Sequence, residues 1–284
     1  MENQQEALLG TAIAISEKAG KAIMDIYSRG DVETTYKNGD SPLTLADTTS
    51  HNIIFEHLKK NTPDIPVLSE ESENVPYNVR KSWKTFWLVD PLDGTKEFIN
   101  QNGEFTVNIA LIDSGKTVLG VVHAPVLRTI YYASAGKGAF KKTYTENERK
   151  SKIYVSDYHN RRLKIVASRS HSSNMLESFK RNIGDADFTS LGSSLKLCLV
   201  AEGKAHLYPR LGPTMEWDTA AAHCIVESAG GTVTDLHRQT LNYNKPDLHN
   251  PFFIVSGSPT FPWWEYIDNY ASILSRQLLT KTLS

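Results

Sequence analysis

The segment Trp87-Leu88-Val89-Asp90-Pro91-Leu92-Asp93-Gly94-Thr95-Lys96 runs an apolar strand into two carboxylates three residues apart. Proline fixes φ and glycine tolerates a sharp bend, so Asp90 and Asp93 can be turned toward one point at a strand end, where backbone amides also become open to an anion. Two converging carboxylates repel each other. In a cleft shielded from water, either one pKa rises or a bound cation relieves the pair, and oxygen-only ligands favour a hard ion such as Mg²⁺. The same residue types build ordinary surface turns. A second acidic pair, Glu70-Glu71, shifts the balance, because it follows the apolar Ile65-Pro66-Val67-Leu68 and so also sits at a strand exit. A third carboxylate, Asp218, lies in Glu216-Trp217-Asp218-Thr219-Ala220-Ala221-Ala222, directly before a small-residue helix. Aspartate there reads as an N-cap, worth about 1 kcal/mol, but a carboxylate has two oxygens and can cap and ligate at once.

Hydrogen-bond donors without nearby carboxylates occur in Ser168-Arg169-Ser170-His171, in Ser193-Ser194-Leu195-Lys196 and at Arg210. Together they look like a wall that holds phosphate, although lone basic residues also serve surface solvation. Lysine and arginine number 31 against 32 acidic residues, a balance that gives no footprint for a nucleic-acid polymer. Gly136-Lys137-Gly138 lacks the following helix that a dinucleotide or Walker fingerprint requires. No apolar run approaches the roughly 18 residues that span a bilayer, and residues 1–10 carry no basic stretch leading into an apolar core. Cys198 and Cys224 each sit within an apolar stretch, as buried thiols do. A reducing cytoplasm suits them, and peripheral association with an inner membrane stays open.

These residues need elements to place them. Apolar residues recur at helical spacing over residues 6–28, and a second helix follows Ser41-Pro42 and stops before Pro63. Residues 65–68, 85–89, 106–112, 117–124 and 129–133 are short, rich in β-branched or aromatic residues and bounded by turn residues, so they read as strands of a sheet packed on both helices. Residues 135–152 are polar without periodicity and are expected to form a long hairpin or a lobe boundary near residue 150. Beyond it, a strand at 164–167, helices at 174–182 and 195–202, a strand at 205–208 and a helix at 219–229 alternate as an α/β lobe does. The expected organisation is therefore an N-terminal α+β lobe over 1–150 and a C-terminal α/β lobe over 151–284, sharing one cleft.

Glu70-Glu71, Asp90-Pro91-Leu92-Asp93-Gly94-Thr95 and Trp217-Asp218, in this order and separation, resemble the metal motifs of the inositol monophosphatase superfamily of lithium-sensitive, magnesium-dependent phosphatases. The likeness covers most of the chain. Residues 87–98, the string Asn102-Gly103-Glu104-Phe105-Thr106-Val107-Asn108-Ile109-Ala110, Gly192-Ser193-Ser194-Leu195-Lys196 and residues 208–213 are most similar to its bacterial bisphosphate nucleotidase branch. The resemblance implies a layered α-β-α-β-α sandwich and two to three Mg²⁺ ions. It implies that Glu70, Asp90 and the Leu92 carbonyl hold one ion, that Asp90, Asp93 and Asp218 hold a second, and that Glu70 reaches a third. Asp47 then pairs with the Thr95 hydroxyl so that a water on the metal loses its proton and attacks phosphorus in line, a use of paired ions that fits their chemistry. Without the family, Asp47 reads as a solvated helix position.

By the same resemblance Ser193, Lys196 and Arg210 grip the phosphate that is not cleaved, His171 lies against the nucleoside, and Gly94, Thr95, Lys96 and Asp218 also face the substrate. Many inositol monophosphatases have Gly and Thr where this chain has Ser69 and Lys96, and a lysine beside the reaction centre suits a more highly charged substrate. The implied activity is hydrolysis of the 3′-phosphate of adenosine 3′,5′-bisphosphate, and of its 5′-phosphosulfate relative, to AMP or its sulfate analogue in sulfate assimilation. An inositol or sugar phosphatase would use the same metals without needing Lys196 and Arg210. A catalytically silent nucleotide-binding regulator is the reading of another class. Monomer and homodimer both remain open.

Overall fold

The computed structural model describes residues 2–30, 34–36, 42–73, 75–144, 148–158, 162–169, 173–257 and 261–270. Chain order begins with α1 (Glu2–Tyr27), β1 (Thr34–Tyr36), β2 (Pro42–Thr44), α2 (Leu45–Asn61), β3 (Val67–Ser69), α3 (Tyr77–Arg80), β4 (Thr85–Asp93) and α4 (Thr95–Ile99). Five strands follow without a helix: β5 (Thr106–Asp113), β6 (Lys116–Ala124), β7 (Thr129–Ser134), β8 (Gly138–Thr143) and β9 (Arg149–Ile153). The rest is β10 (Leu163–Ser168), α5 (Asn174–Ile183), β11 (Ala186–Leu191), α6 (Leu195–Ala201), β12 (Leu207–Arg210), α7 (Ala220–Ser228), β13 (Thr232–Asp235), β14 (Phe253–Ser256) and a 3₁₀ turn at Trp263–Tyr266.

Strands β3 to β9 form one seven-stranded sheet in sequence order, with only the β3–β4 pair parallel. Both of its faces are apolar, because strand side chains alternate and each face has a cover. Trp87, Val89, Val107, Ile109, Leu111, Leu119 and Val121 pack with α1 and α2. Phe86, Leu88, Ala110, Ile112, Val122 and Ala124 face the other way, onto α6 and α7. Helix α7 can lie that close because its alanines meet Gly120 of β6, where an added Cβ would stand 2.1 Å from the Ala221 carbonyl oxygen. On the far side of α6 and α7 lies a five-stranded sheet, ordered β11-β10-β12-β14-β13. Its outer face is covered by α5 and the 3₁₀ turn through Leu163, Ile165, Phe179, Leu207, Ile254 and Trp263. The layers therefore run α-β-α-β-α.

The sequence-based elements recur. Within 135–152, β8 and β9 pair antiparallel, as the hairpin alternative expects; residue 150 lies inside β9 and the first sheet ends at Ile153. The strand expected at 205–208 is displaced to Leu207–Arg210. It continues through Pro209, which registers opposite Ile254 of β14. Strands β1, β2, β11, β13 and β14 and the short helices α3 and α4 add to the expected set. Cys198 and Cys224 are buried free thiols, as expected. No described helix is long and apolar enough to cross a membrane.

Candidate active site

Residues three apart on a regular strand face opposite sides, so Asp90 and Asp93 need a local irregularity to converge. The structure supplies a bulge. Asp90 registers with Asn108 and Asp93 with Thr106, so β4 spends three residues where β5 spends two. The extra residue flips the alternation. Ser50 of α2 donates to the Pro91 carbonyl at 2.7 Å, the Leu92 amide donates to Asp90 Oδ1 at 3.1 Å, and Gly94 then turns the chain at φ 96° into α4. In the parallel partner β3, Ser69 lies opposite Val89, and the next residue, Glu70, bonds the Val89 carbonyl through its amide, which sets its side chain beside Asp90.

Asp218 arrives two residues before α7, the helix between the two sheets. It does not cap that helix. The N-cap position is Thr219, and Asp218 Oδ2 accepts from the Met215 amide at 3.0 Å instead. Carboxylate oxygens of Glu70, Asp90 and Asp218 come within 4.8 Å of one another. Burial, then Glu70, Asp93, Asp218 and Glu71, push the Asp90 carboxyl well above the usual range. Asp218 is raised in the same way by burial, then by Asp93 and Glu70. Asp93 is raised by burial, against the opposing pull of Lys196 and of hydrogen bonds from Ser194 and Asn108. Asp93 stands outside the tightest trio.

This donor set fits a divalent cation, since it offers only oxygens and its members destabilise one another as anions. Glu70, Asp90, Asp93 and Asp218 are the side chains that would hold it.

Asp47 is buried, against the solvated alternative. It occupies the third position of α2 and closes a capping box, its Oδ2 accepting from the Thr44 amide at 2.8 Å and the Thr44 hydroxyl at 2.5 Å. Its other oxygen accepts from the Thr95 hydroxyl at 3.0 Å. The expected Asp47–Thr95 contact is thus present, and the helix cap orients it.

A cleft of about 400 Å³ joins these groups and is lined by Glu70, Asp90, Leu92, Asp93, Gly94, Thr95, Lys96, Ser193, Lys196, Arg210 and Asp218. Lys96 lies exposed on its rim. Tyr208 and Arg210, two apart on β12, face the cleft together. Lys196 Nζ donates to the Ser193 carbonyl at 2.5 Å and lies 5.6 Å from the centre of the Tyr208 ring. Arg210 donates to the Pro213 carbonyl at 2.6 Å, while its Nε has no partner. Neither base makes an ion pair among the described residues. Burial, and then Arg210, lower the Lys196 pKa to about 8 despite the nearby Asp93. Of the other donors expected from the sequence, Arg169 pairs with Glu104 at 2.7 Å, and His171 lies outside the described residues. Sequence reasoning passed over Tyr208, Asn108 and Ser194 as separate actors, although all three stand inside strings quoted above.

The profile of the inositol monophosphatase family matches residues 4–274. The 3′(2′),5′-bisphosphate nucleotidase CysQ of Salmonella typhimurium is 50% identical over 251 residues, which cover 88% of this chain and 99% of that protein. Its Escherichia coli K12 namesake is 47% identical over the same shares. Among solved structures, CysQ from Bacteroides thetaiotaomicron, a bacterial member of the inositol monophosphatase family, is similar with a TM-score of 0.77 at 42% identity, covering 88% of this chain and 97% of that one. A Thermotoga maritima IMPase reaches 0.75 at 25% identity over 95% and 99%. With its layered α-β-α-β-α sandwich and its carboxylate cluster, the chain belongs to the inositol monophosphatase family.

Proposed function

We propose that this enzyme is a Mg²⁺-dependent 3′(2′),5′-bisphosphate nucleotidase that hydrolyses adenosine 3′,5′-bisphosphate, and its 5′-phosphosulfate relative, at the 3′ position. The observation that carries the substrate is the pair of buried bases, Lys196 and Arg210, on the wall opposite the carboxylate cluster. An orthophosphate monoester with no second anion would leave that wall unmatched. The relatives named above as bisphosphate nucleotidases support the same substrate class.

Glu70, Asp90 and the Leu92 carbonyl suit one ion and Asp90, Asp93 and Asp218 a second; the first sheet carries most of this set, while Ser193 and Lys196 at α6 and Arg210 on β12 form the wall for the other phosphate. Bound there, Mg²⁺ acidifies water and neutralises charge on the phosphoryl oxygens. The chain's own part is proton handling and positioning. Thr95 Oγ1 donates a hydrogen bond to Asp47 Oδ1 and so turns a lone pair toward the cleft, where the attacking water can donate to it. The proton released by that water passes through Thr95 and rests on Asp47 Oδ1, while both Thr44 donors keep Oδ2 in place; as the water oxygen bonds to phosphorus the ester P–O bond breaks, and the departing 3′ oxygen takes a proton from solvent. Ser193, Lys196 and Arg210 hold the distal phosphate, and thereby the scissile ester, against the cluster. The catalytically silent alternative has no missing ligand to rest on.

The direct test is phosphate release with Mg²⁺ from adenosine 3′,5′-bisphosphate, inositol 1-phosphate and fructose 1,6-bisphosphate. The nucleotide should have the highest kcat/KM by at least tenfold, and Li⁺ should suppress its turnover; a preference for inositol 1-phosphate would assign the inositol phosphatase reading instead. Thr95→Val, which keeps the shape and removes the hydroxyl, should lower kcat by about 10²-fold, the lower range for a lost proton-transfer partner, with KM little changed. An unaltered kcat would remove Thr95 from the relay.

The lowered pKa of Lys196 gives a pH signature. Its charge is lost as pH rises through about 8, so kcat/KM for the bisphosphate should fall on that alkaline limb, which reports groups of the free enzyme. In Lys196→Met the limb should be absent.

A further inference from the structure

Two buried side chains that the reaction above leaves unused converge on Asp93. Asn108 belongs to β5 of the first sheet, and Ser194 precedes α6 between the sheets. Asn108 Nδ2 stands 2.8 Å from Ser194 Oγ and 3.3 Å from Asp93 Oδ2. Ser194 Oγ is in turn 2.7 Å from Asp93 Oδ2 and 2.7 Å from the Asp218 carbonyl.

A hydroxyl has one proton and two lone pairs. Ser194 accepts from Asn108 and can donate to only one of its two remaining neighbours. A carboxylate is the stronger acceptor, so an ionised Asp93 takes the proton. Asn108 is held one way round, because turning its amide over would set a carbonyl oxygen against the Asp93 carboxylate. That orientation leaves Asn108 Oδ1 buried with no partner. An amide with an unmet acceptor, between Val107 and Ile109 in a strand buried on both faces, is a departure from the local pattern that packing does not call for.

We infer that Asn108 and Ser194 are positioning residues for the cation: they pin Asp93 Oδ2 and present Oδ1 to the cleft. The inference rests on the cation site proposed above. Ser194 also adjoins Ser193, so the device and the wall for the second phosphate share one turn at the start of α6. Asn108 acts through Ser194, so the two are one device.

The test is calorimetric titration of Mg²⁺ into metal-stripped protein, with KM for adenosine 3′,5′-bisphosphate measured separately at saturating Mg²⁺. Ser194→Ala and the near-isosteric Asn108→Leu should each raise the Mg²⁺ Kd by about tenfold, the lower range for partners that orient a ligand. KM should stay within about twofold. The double variant should lose little beyond the worse single one, and Ser194→Thr, which returns the hydroxyl, should recover affinity. Asp90→Asn separates the two readings. If it binds Mg²⁺ like the parent, the cation site itself is wrong and the inference goes with it. If Asp90→Asn loses binding while Ser194→Ala and Asn108→Leu retain it within twofold, the site stands and the positioning role is overturned. Loss of native circular dichroism in both variants would place the pair in the fold and overturn it as well.

Discussion

Asp90→Asn should lose at least 10²-fold in turnover at saturating Mg²⁺, about 2.7 kcal/mol of transition-state stabilisation, and yet melt higher than the parent once metal is stripped. The two halves of this result have one cause. Asp90 is 1% exposed and faces Glu70, Asp93, Asp218 and Glu71, each of which pushes its carboxyl upward in addition to burial. The amide keeps the one hydrogen bond the site gives this side chain, since an asparagine oxygen can still accept from the Leu92 amide. What it removes is a charge that a cation needs and that the metal-free fold resists. The sign follows from proton linkage. A carboxyl whose folded pKa lies above its unfolded value binds more protons in the native state between those two values, so metal-free stability falls as pH rises through that window. The metal-free parent should therefore gain stability as pH drops from the raised folded value toward the ordinary carboxylate range, and Asp90→Asn should show a shallower gain. Calorimetric scans with and without Mg²⁺ check both statements. A metal-free melting temperature below the parent's would mean that Asp90 is not under like-charge strain.

Why the metal ligands were legible in sequence and their support was not follows from distance along the chain. Asp90 and Asp93 announce themselves through Pro91 and Gly94, and Glu70 follows an apolar strand, so residue type and local order suffice. The bulge that turns both aspartates to one side is harder to read, because it depends on register against Asn108 and Thr106. Asn108 and Ser194 are 86 residues apart and only the fold brings them together. Asp47 looked like a solvated helix position because the partner of its second oxygen, Thr95, is 48 residues away and only the fold brings the two together. Among the elements, the strands of the first sheet were plain wherever apolar residues filled them. Residues 135–152 were legible only as a long hairpin or a lobe boundary, not as two strands, since β9 presents Arg149, Lys150 and Lys152 on an exposed edge. Lys150 there covers the rings of Tyr132 and Phe140 at 5.6 and 4.8 Å, burying ring surface with a charged residue that sequence pattern counts as polar. Such charge also guards an edge strand against pairing with another chain. Strand β11 is largely exposed and lacks an apolar alternation, so its pairing with β10 shows only in three dimensions.

Replacing both Lys196 and Arg210 with methionine should separate the two phosphates of the substrate. Methionine keeps much of each apolar stem, including contact with the Tyr208 ring, and removes the charges. Both side chains are at least nine-tenths buried, and the carbonyl bonds they make, to Ser193 and Pro213, leave donors over, Arg210 Nε among them. A charge-assisted contact contributes about 1.5–3 kcal/mol, and two on one phosphate need not add. The expected loss in kcat/KM for adenosine 3′,5′-bisphosphate is therefore at least tenfold, about 1.4 kcal/mol. Adenosine 3′-monophosphate carries the same ester to the same carboxylate cluster and offers nothing to the far wall, so its kcat/KM should change less than threefold. One complication works in a known direction: Lys196 holds Asp93 toward its ionised form, so its removal weakens the cation site slightly for both substrates. Measuring at saturating Mg²⁺ removes that common part from the comparison. Equal losses on the two nucleotides would show that Lys196 and Arg210 serve the cation site or the packing around Tyr208, and the second-phosphate wall would then have no residues left to form it.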